Sequence, residues 1–251
     1  MSTAAVVIDR ISMRYPRSHT HALVDVDLTV AEGEFLCLLG RSGCGKSTLL
    51  SLIAGLEQPT AGSVNLGGRR VGMMFQDSGL FPWLTVQGNI ELALRLSGVP
   101  RRDWADRIDE LLEIVRLPGA QQQRPHELSG GMRQRIALAR SLAQDCQVLL
   151  MDEPFGALDA ITRDAMHDEI ERIAAERRLT VLFVTHNVRE AVRLGDRVVV
   201  MQPGPGRVAS QLDVDLPRPR RMDDPEIALR AGHLHDLLNG QVDRGFGRAA
   251  A

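Results

Sequence analysis

The stretch Phe35-Leu36-Cys37-Leu38-Leu39-Gly40-Arg41-Ser42-Gly43-Cys44-Gly45-Lys46-Ser47-Thr48-Leu49-Leu50 decides the fold. An apolar run of strand length meets a glycine-rich loop and then an apolar-spaced helix, the order of the phosphate-binding Walker A pattern. Gly40, Gly43 and Gly45 permit positive-φ turns that side chains forbid, so the backbone N–H groups from Gly40 through Arg41, Ser42, Gly43 and Cys44 can converge on an anion. The helix starting near Lys46 adds its positive dipole end. Lys46 then reaches the β and γ phosphates of a nucleotide as a point charge, Ser47 is placed to ligate Mg²⁺, and Thr48 follows on the first turn.

Working outward, 251 residues with 44% hydrophobic and 25% charged content suit one large domain, or one domain with a subdomain. Thirty basic residues against 32 acidic ones leave a net charge of -2, which gives no global drive toward nucleic acid. Cys37, Cys44 and Cys146 show neither close pairing nor metal-ligand spacing, the usage expected in a reducing compartment. Met1–Ile11 does not resemble a secretory leader, and no apolar run approaches the roughly 18 residues of a membrane span, so a soluble chain is expected.

Upstream of the loop, Ala5–Ile8 and Val24–Val30 read as strands, the second alternating as a half-buried antiparallel strand does. Tyr15, the sole tyrosine, lies on their connection, where a surface or packing residue is the ordinary expectation. Downstream, Gly62–Leu66 and Val71–Phe75 read as two short strands separated by the turn Gly67-Gly68. Gln76 follows, its amide oxygen suited to ligating Mg²⁺ or positioning water, and then come Leu80, Phe81, Trp83 and Leu84, suited to a protein contact. Val86, Ile90, Ala93 and Leu94, then Trp104, Ile108, Leu111, Leu112 and Val115, recur at helical spacing. These two helices interrupt the strand pattern as an inserted helical subdomain would.

Three further constellations carry chemistry. In Leu128-Ser129-Gly130-Gly131-Met132, Ser129 caps a helix and Gly130 and Gly131 bare its first amides, a second anion site in a chain whose single nucleotide needs one. Val148–Met151 is a short apolar run of a strand buried on both faces, and it ends in Asp152-Glu153. A carboxylate pair at that end suits Mg²⁺ coordination by Asp152 and general-base work by Glu153. The strand Val181–Val184 ends at Thr185-His186, which places His186 beside the carboxylates and within reach of a γ-phosphate.

Taken together, the Walker A residues, Gln76, Leu128–Met132, Asp152-Glu153, Ala157-Leu158-Asp159 and His186 stand in the order and spacing of the ATP-binding cassette (ABC) transporter ATPases, and the chain resembles that family over residues 6 to 210. The resemblance implies an α/β fold: a P-loop NTPase (RecA-like) core with an N-terminal antiparallel β layer and an inserted helical subdomain. It implies a nucleotide-binding domain over residues 6–213, with core at 6–80 and 139–213 and subdomain at 81–138, and an extension over 214–251. That extension reads as a linker and one helix, with Asp224 as cap, Pro225 in its first turn, a stripe of Ile227, Ala231, Leu234 and Leu238, and Gly240 as terminator.

The resemblance also implies roles. Tyr15 becomes the aromatic that stacks on adenine, Gln76 the γ-phosphate and Mg²⁺ sensor, Glu153 the catalytic base, His186 the switch residue and Asp159 a residue of dimer communication. ATP and Mg²⁺ are the implied substrate and cofactor. A head-to-tail dimer is implied, with Ser129 and Gly131 of one copy closing over the ATP held by Lys46 of the other. Phe81–Val86, Asn89-Ile90 and Leu216-Pro217-Arg218-Pro219-Arg220-Arg221 resemble the nitrate, sulfonate and taurine importer branch. The implied partners are permease subunits and, through them, a periplasmic or extracellular solute-binding protein, with no nucleic acid, and the implied location is the cytoplasmic face of the membrane. The competing class, soluble ABC ATPases acting on nucleic acid or ribosomes, carries coiled-coil insertions or two cassettes per chain; neither is present here.

Overall fold

The computed structural model describes residues 3–16 and 18–238. Its central sheet has the strand order β5 (Val71–Met74), β6 (Val148–Asp152), β7 (Thr180–Thr185), β3 (Phe35–Gly40), β8 (Arg197–Gln202) and β9 (Arg207–Asp213). The first five run parallel and β9 pairs antiparallel with β8. A second, antiparallel sheet has the order β2 (Leu23–Ala31), β1 (Ala4–Met13), β4 (Ala61–Asn65). The stretches read as neighbouring strands around Gly67-Gly68 thus belong to different sheets. Asn65 Oδ1 accepts from Gly67 N (2.8 Å) and turns the chain out of the antiparallel layer toward β6.

The apolar runs are continuous because the central sheet is covered on both faces. Along β3, Leu36 and Leu38 point into one core with β1, β2 and the helix α1 (Lys46–Ile53), while Phe35, Cys37 and Leu39 point into the other, beneath the remaining helices. The same two-residue period divides Leu150 from Leu149 on β6 and Leu182 from Phe183 on β7. Each such aliphatic side chain, fully buried, contributes roughly 1.5–3 kcal/mol.

Helices α2 (Val86–Leu96) and α3 (Trp104–Ile114) form where periodicity requires them, and they bury the expected stripes except for Trp104, which stays half-buried with its indole N–H on Val99 O (2.9 Å). Thr85 caps α2 through Gly88 N (3.1 Å). The helix α4 (Gly130–Leu142) runs unbroken through the expected boundary at 138/139, and Ser141 ties it to β5 by a bond to Met73 O (3.2 Å).

Helices α5 (Ala160–Arg177) and α6 (Val188–Leu194) flank β7, and α7 (Pro225–Leu238) follows the linker. Ile227, Ala231 and Leu234 of α7 are buried, with Leu238 packed at the margin; Gly240 lies outside the described residues. The Asp224 carboxylate turns back to accept from Arg221 N (2.8 Å), so it closes the preceding turn. Among the described residues no helix is long and apolar enough to cross a membrane.

Candidate functional site

Four strand ends meet at one edge of the central sheet. β3 delivers the glycine loop, β6 delivers Asp152 and Glu153, β7 delivers Thr185 and His186, and Gln76 follows β5. Parallel strands with their carboxyl ends at a common edge make this the place where open α/β sheets bind ligands.

Gly43 and Gly45 have φ of +80° and +93°. A Cβ on Gly45 would stand 2.5 Å from Leu23 Cδ2 and 2.9 Å from Ala22 O, so sterics and backbone conformation both demand glycine there. α1 follows Gly45 with no side-chain cap and no acidic residue in its first turn, which leaves its leading amides for an anion. Lys46 is 5% exposed, and its Nζ donates to the carbonyls of Gly40 (2.7 Å) and Arg41 (3.2 Å). Those bonds hold the ammonium over the loop, while Arg41, Ser42 and Ser47 are exposed around it and Cys44 is buried beneath. Tyr15 lies at the margin, with its hydroxyl 3.4 Å from Thr48 Oγ1 and its surface 37% accessible.

Across from the loop, burial pushes the Asp152 carboxyl above the usual carboxylate range; the Ser47 hydroxyl opposes the shift, Glu153 adds to it and Lys46 opposes it. An acid held in that state is relieved by a cation. Its oxygens and the Ser47 hydroxyl are hard donors of the kind that suit Mg²⁺ bound in company with phosphate, and the Gln76 amide oxygen is another at the same edge of the sheet. Glu153 has φ +45°, a left-handed conformation costly for a side chain that long. Its N–H donates to Val184 O (3.1 Å) and its Oε2 lies 2.9 Å from His186 Nδ1. A Cβ on Gly156 would fall 3.5 Å from the Glu153 carbonyl and 3.6 Å from Gln76 Nε2, which sets the glutamine amide against the turn that follows the carboxylates.

The second anion motif stands elsewhere. Ser129 Oγ accepts from Met132 N (3.2 Å), the expected cap. A Cβ on Gly131 would lie 2.5 Å from Thr162 Cγ2, and one on Gly130 would lie 3.4 Å from Leu158 Cδ2. These glycines therefore pack on the start of α5, and among the described hydrogen bonds none joins Ser129 to the Walker loop. Asp159 caps α5 through Thr162 N (3.0 Å) and Thr162 Oγ1 (2.7 Å), and these bonds hold its carboxyl below the usual range.

The segment after Gln76 forms the rim of an apolar groove lined by Leu56, Met73, Phe75, Phe81, Leu92 and Leu96. Trp83 is 68% exposed and stacks obliquely on Phe81 at 5.3 Å. Leu80, grouped with these residues by the sequence, is instead buried in the helical core, because the loop turns inward at that position. Two fixing residues had no distinct signal as such. Asn89, fully buried, accepts from Phe81 N (2.8 Å) and donates to Thr85 O (2.9 Å), and Arg140 donates to Gly79 O (2.5 Å) and Ser78 O (2.9 Å). Leu56, Phe75 and Leu96 were also missed, since isolated apolar residues in three separate segments show no pattern until the fold gathers them.

A family model described as "ABC transporter" matches residues 23–156, more than half of the chain. The aliphatic sulfonates import ATP-binding protein of Bacillus licheniformis is 46% identical over 213 residues, covering 82% of each chain. The taurine import ATP-binding protein of Mesorhizobium japonicum is 44% identical over 244 residues, 94% of this chain and 95% of that one. A bicarbonate transport ATP-binding protein of Synechococcus elongatus is 45% identical over 232 residues, 87% of this chain but 35% of its own length, so this chain spans about a third of that relative. Among solved structures, a dimeric bacterial ABC transporter cassette superposes with a TM-score of 0.74 at 30% identity, over 84% of this chain and 99% of that one.

Proposed function

Since this chain belongs to the ABC transporter family, we propose that it is the ATP-hydrolysing subunit of an importer that takes up a small anionic or zwitterionic solute such as nitrate, a sulfonate or taurine. The observation that carries the reading is the pair Glu153 and His186, joined at 2.9 Å beside Asp152 and across from the Lys46 loop. In it the amides of Gly43 to Ser47 and the Lys46 ammonium hold the β and γ phosphates, and Tyr15 stacks on adenine. Ser47, Gln76 and Asp152 would hold Mg²⁺, which when bound neutralises phosphate charge. Glu153 takes the proton of the attacking water, and His186 steadies both that carboxylate and the γ-phosphate.

Ser129, Gly130 and Gly131 serve the nucleotide of a second copy. Supporting this, Ser129 caps a helix whose first glycines pack on the start of α5, none of the described hydrogen bonds joins Ser129 to its own chain's loop, and a superposing cassette is dimeric. Asp159, at the head of α5 against those glycines, carries the communication between copies. The groove beside Phe81 and Trp83 receives a permease segment on the cytoplasmic face of the membrane, and a solute-binding protein completes the assembly on the other side.

The test is ATP-dependent uptake in vesicles holding this chain with its cognate permease and binding protein, offered taurine, an alkanesulfonate and nitrate in turn. Saturable uptake of one of them, lost in Lys46→Ala, supports the assignment. Turnover stimulated by nucleic acid or ribosomes with no coupling to a permease would move the chain to the soluble class.

A further inference from the structure

Behind His186 runs a buried polar chain that the hydrolytic chemistry does not use. Thr185, His167, Glu190, Arg193 and Arg220 are each 6% exposed or less. The Thr185 hydroxyl donates to Glu190 Oε2, Glu190 Oε1 lies 2.5 Å from His167 Nε2, and His167 Nδ1 lies 2.9 Å from Arg193 Nη1. A guanidinium offers only donors, so Nδ1 accepts and the ring donates from Nε2 to Glu190. Arg193 Nε in turn donates to the Arg220 carbonyl (3.2 Å), and Arg193 also reaches Asp164 (3.3 Å) and Asp168 (2.5 Å).

The far end is anchored in the linker before α7. Arg220 Nη1 donates to the carbonyls of Val192 (2.9 Å) and Gly195 (2.6 Å), and Nη2 to those of Val214 (3.1 Å) and Leu216 (2.8 Å). One side chain thus closes the last turn of α6 and fixes the linker to it. The near end brackets the site from both sides. Thr185 Oγ1 also accepts from Asn187 N (2.9 Å), so its bonds span His186, and the His167 ring meets Phe155 edge-on at 5.6 Å, two residues beyond Glu153. Glu190, Thr185 and Phe155 line the same cavity as Glu153 and His186. Buried groups bonded at both ends have one satisfied arrangement, and any shift leaves a donor or acceptor unpaired.

We propose that His167, Glu190 and Arg193 are positioning residues, a brace through which the linker holding Arg220 keeps His186 and Glu153 in register for hydrolysis. The proposal rests on the reading of Glu153 and His186 as the hydrolytic pair. A brace of this kind acts on the chemical step and leaves nucleotide capture at the Lys46 loop alone, because its contacts reach β7 and Phe155 and not the loop.

The experiment measures steady-state ATP turnover of the full chain, with Tm recorded for every variant. His167→Leu should lower kcat on the order of 10- to 100-fold with KM for ATP within about twofold. His167→Gln, whose amide can accept from Arg193 and donate to Glu190, should recover most of that loss. If His167→Leu does not fold, Glu190→Gln, which keeps the volume, carries the same expectation. Wild-type kcat in a folded His167→Leu or Glu190→Gln, or no recovery in a folded His167→Gln, overturns the brace. Glu153→Gln, run alongside, separates the two claims: an inactive Glu153→Gln with normal brace variants removes the brace alone, whereas an active Glu153→Gln removes the hydrolytic reading and the brace with it.

Discussion

His186 Nδ1 stands 2.9 Å from Glu153 Oε2, although the two residues leave different strands, β7 and β6, with α5 between them in the chain. The contact is possible because β6 and β7 are parallel neighbours paired from Val148 with Thr180 to Asp152 with Val184, which brings both strand ends to the same height. Glu153 then bends through a φ of +45° that points its carboxylate toward the histidine.

Glu153→Gln keeps the size and the hydrogen-bonding reach of the side chain but cannot accept a proton from water. Turnover should fall by about 10² or more while ATP binding stays close to wild type, and ATP should hold a long-lived dimer. Steady-state phosphate release and equilibrium nucleotide binding, measured on one preparation, check both halves.

Tyr15→Ala removes the only tyrosine, which lies beside Thr48. Stacking on a flat base is worth roughly 0.5–1.5 kcal/mol beyond area, so ATP affinity should fall several-fold, and Tyr15→Trp should retain it. Titration with a fluorescent ATP analogue decides; unchanged affinity in the alanine variant would return Tyr15 to an ordinary surface role.

Asp152→Asn separates stability from activity through pH. Burial first, with Glu153 adding to it, makes Asp152 harder to ionise in the fold than in the unfolded chain. The stability tied to that raised pKa is present below the unfolded value and is lost as pH rises through the folded one. At neutral pH without nucleotide, Asp152→Asn should therefore raise Tm, an advantage that shrinks as pH falls through the raised folded pKa and is gone below the ordinary carboxylate range. The stabilisation conferred by ATP with Mg²⁺ should meanwhile be reduced. Melting curves at several pH values, with and without Mg²⁺ and ATP, show whether the two effects run in opposite directions.

Trp83→Ala strips an aromatic that is 68% exposed and touches Phe81. As a surface change it should alter folding stability by no more than about 0.5 kcal/mol, while association with the permease and uptake both fall. Co-purification with the permease and a melting curve of the isolated chain give the two readouts. Loss of the fold would mark Trp83 as packing, and normal uptake would remove it from the contact.

The parts legible in the sequence share a physical cause. Asp152, Glu153 and His186 each sit at or just beyond the end of a strand buried on both faces, Lys46 and Ser47 follow the glycine loop that leaves another, and such strands appear as unbroken apolar runs. Helices α2 and α3 appeared through their 3.6-residue period. What stayed hidden depends on contacts between remote segments. Leu80 looked like its exposed neighbours because no local pattern shows that the loop turns inward there. β4 and β5 read as two strands on either side of a two-glycine turn, and no local pattern assigns them to different sheets, β4 beside β1 and β5 beside β6. His167, a lone histidine within α5, gave no sign that Arg193 and Glu190 would meet it from α6.

The place of β3 in the sheet bears on how the chain is made. Its hydrogen-bonding partners on either side are β7 and β8, so Phe35 waits for Val181 and Leu36 for Arg197 before either edge is covered. On a ribosome adding about 5–20 residues per second, the run Phe35–Leu39 emerges among the first strands and stays unpaired until nearly the whole cassette has been synthesised. Parallel pairing at such sequence separation is slow even in a finished chain. Fragments ending before Gln202 should therefore accumulate as aggregates or chaperone-bound species, because each leaves an edge of the six-residue strand at the centre of the sheet uncovered.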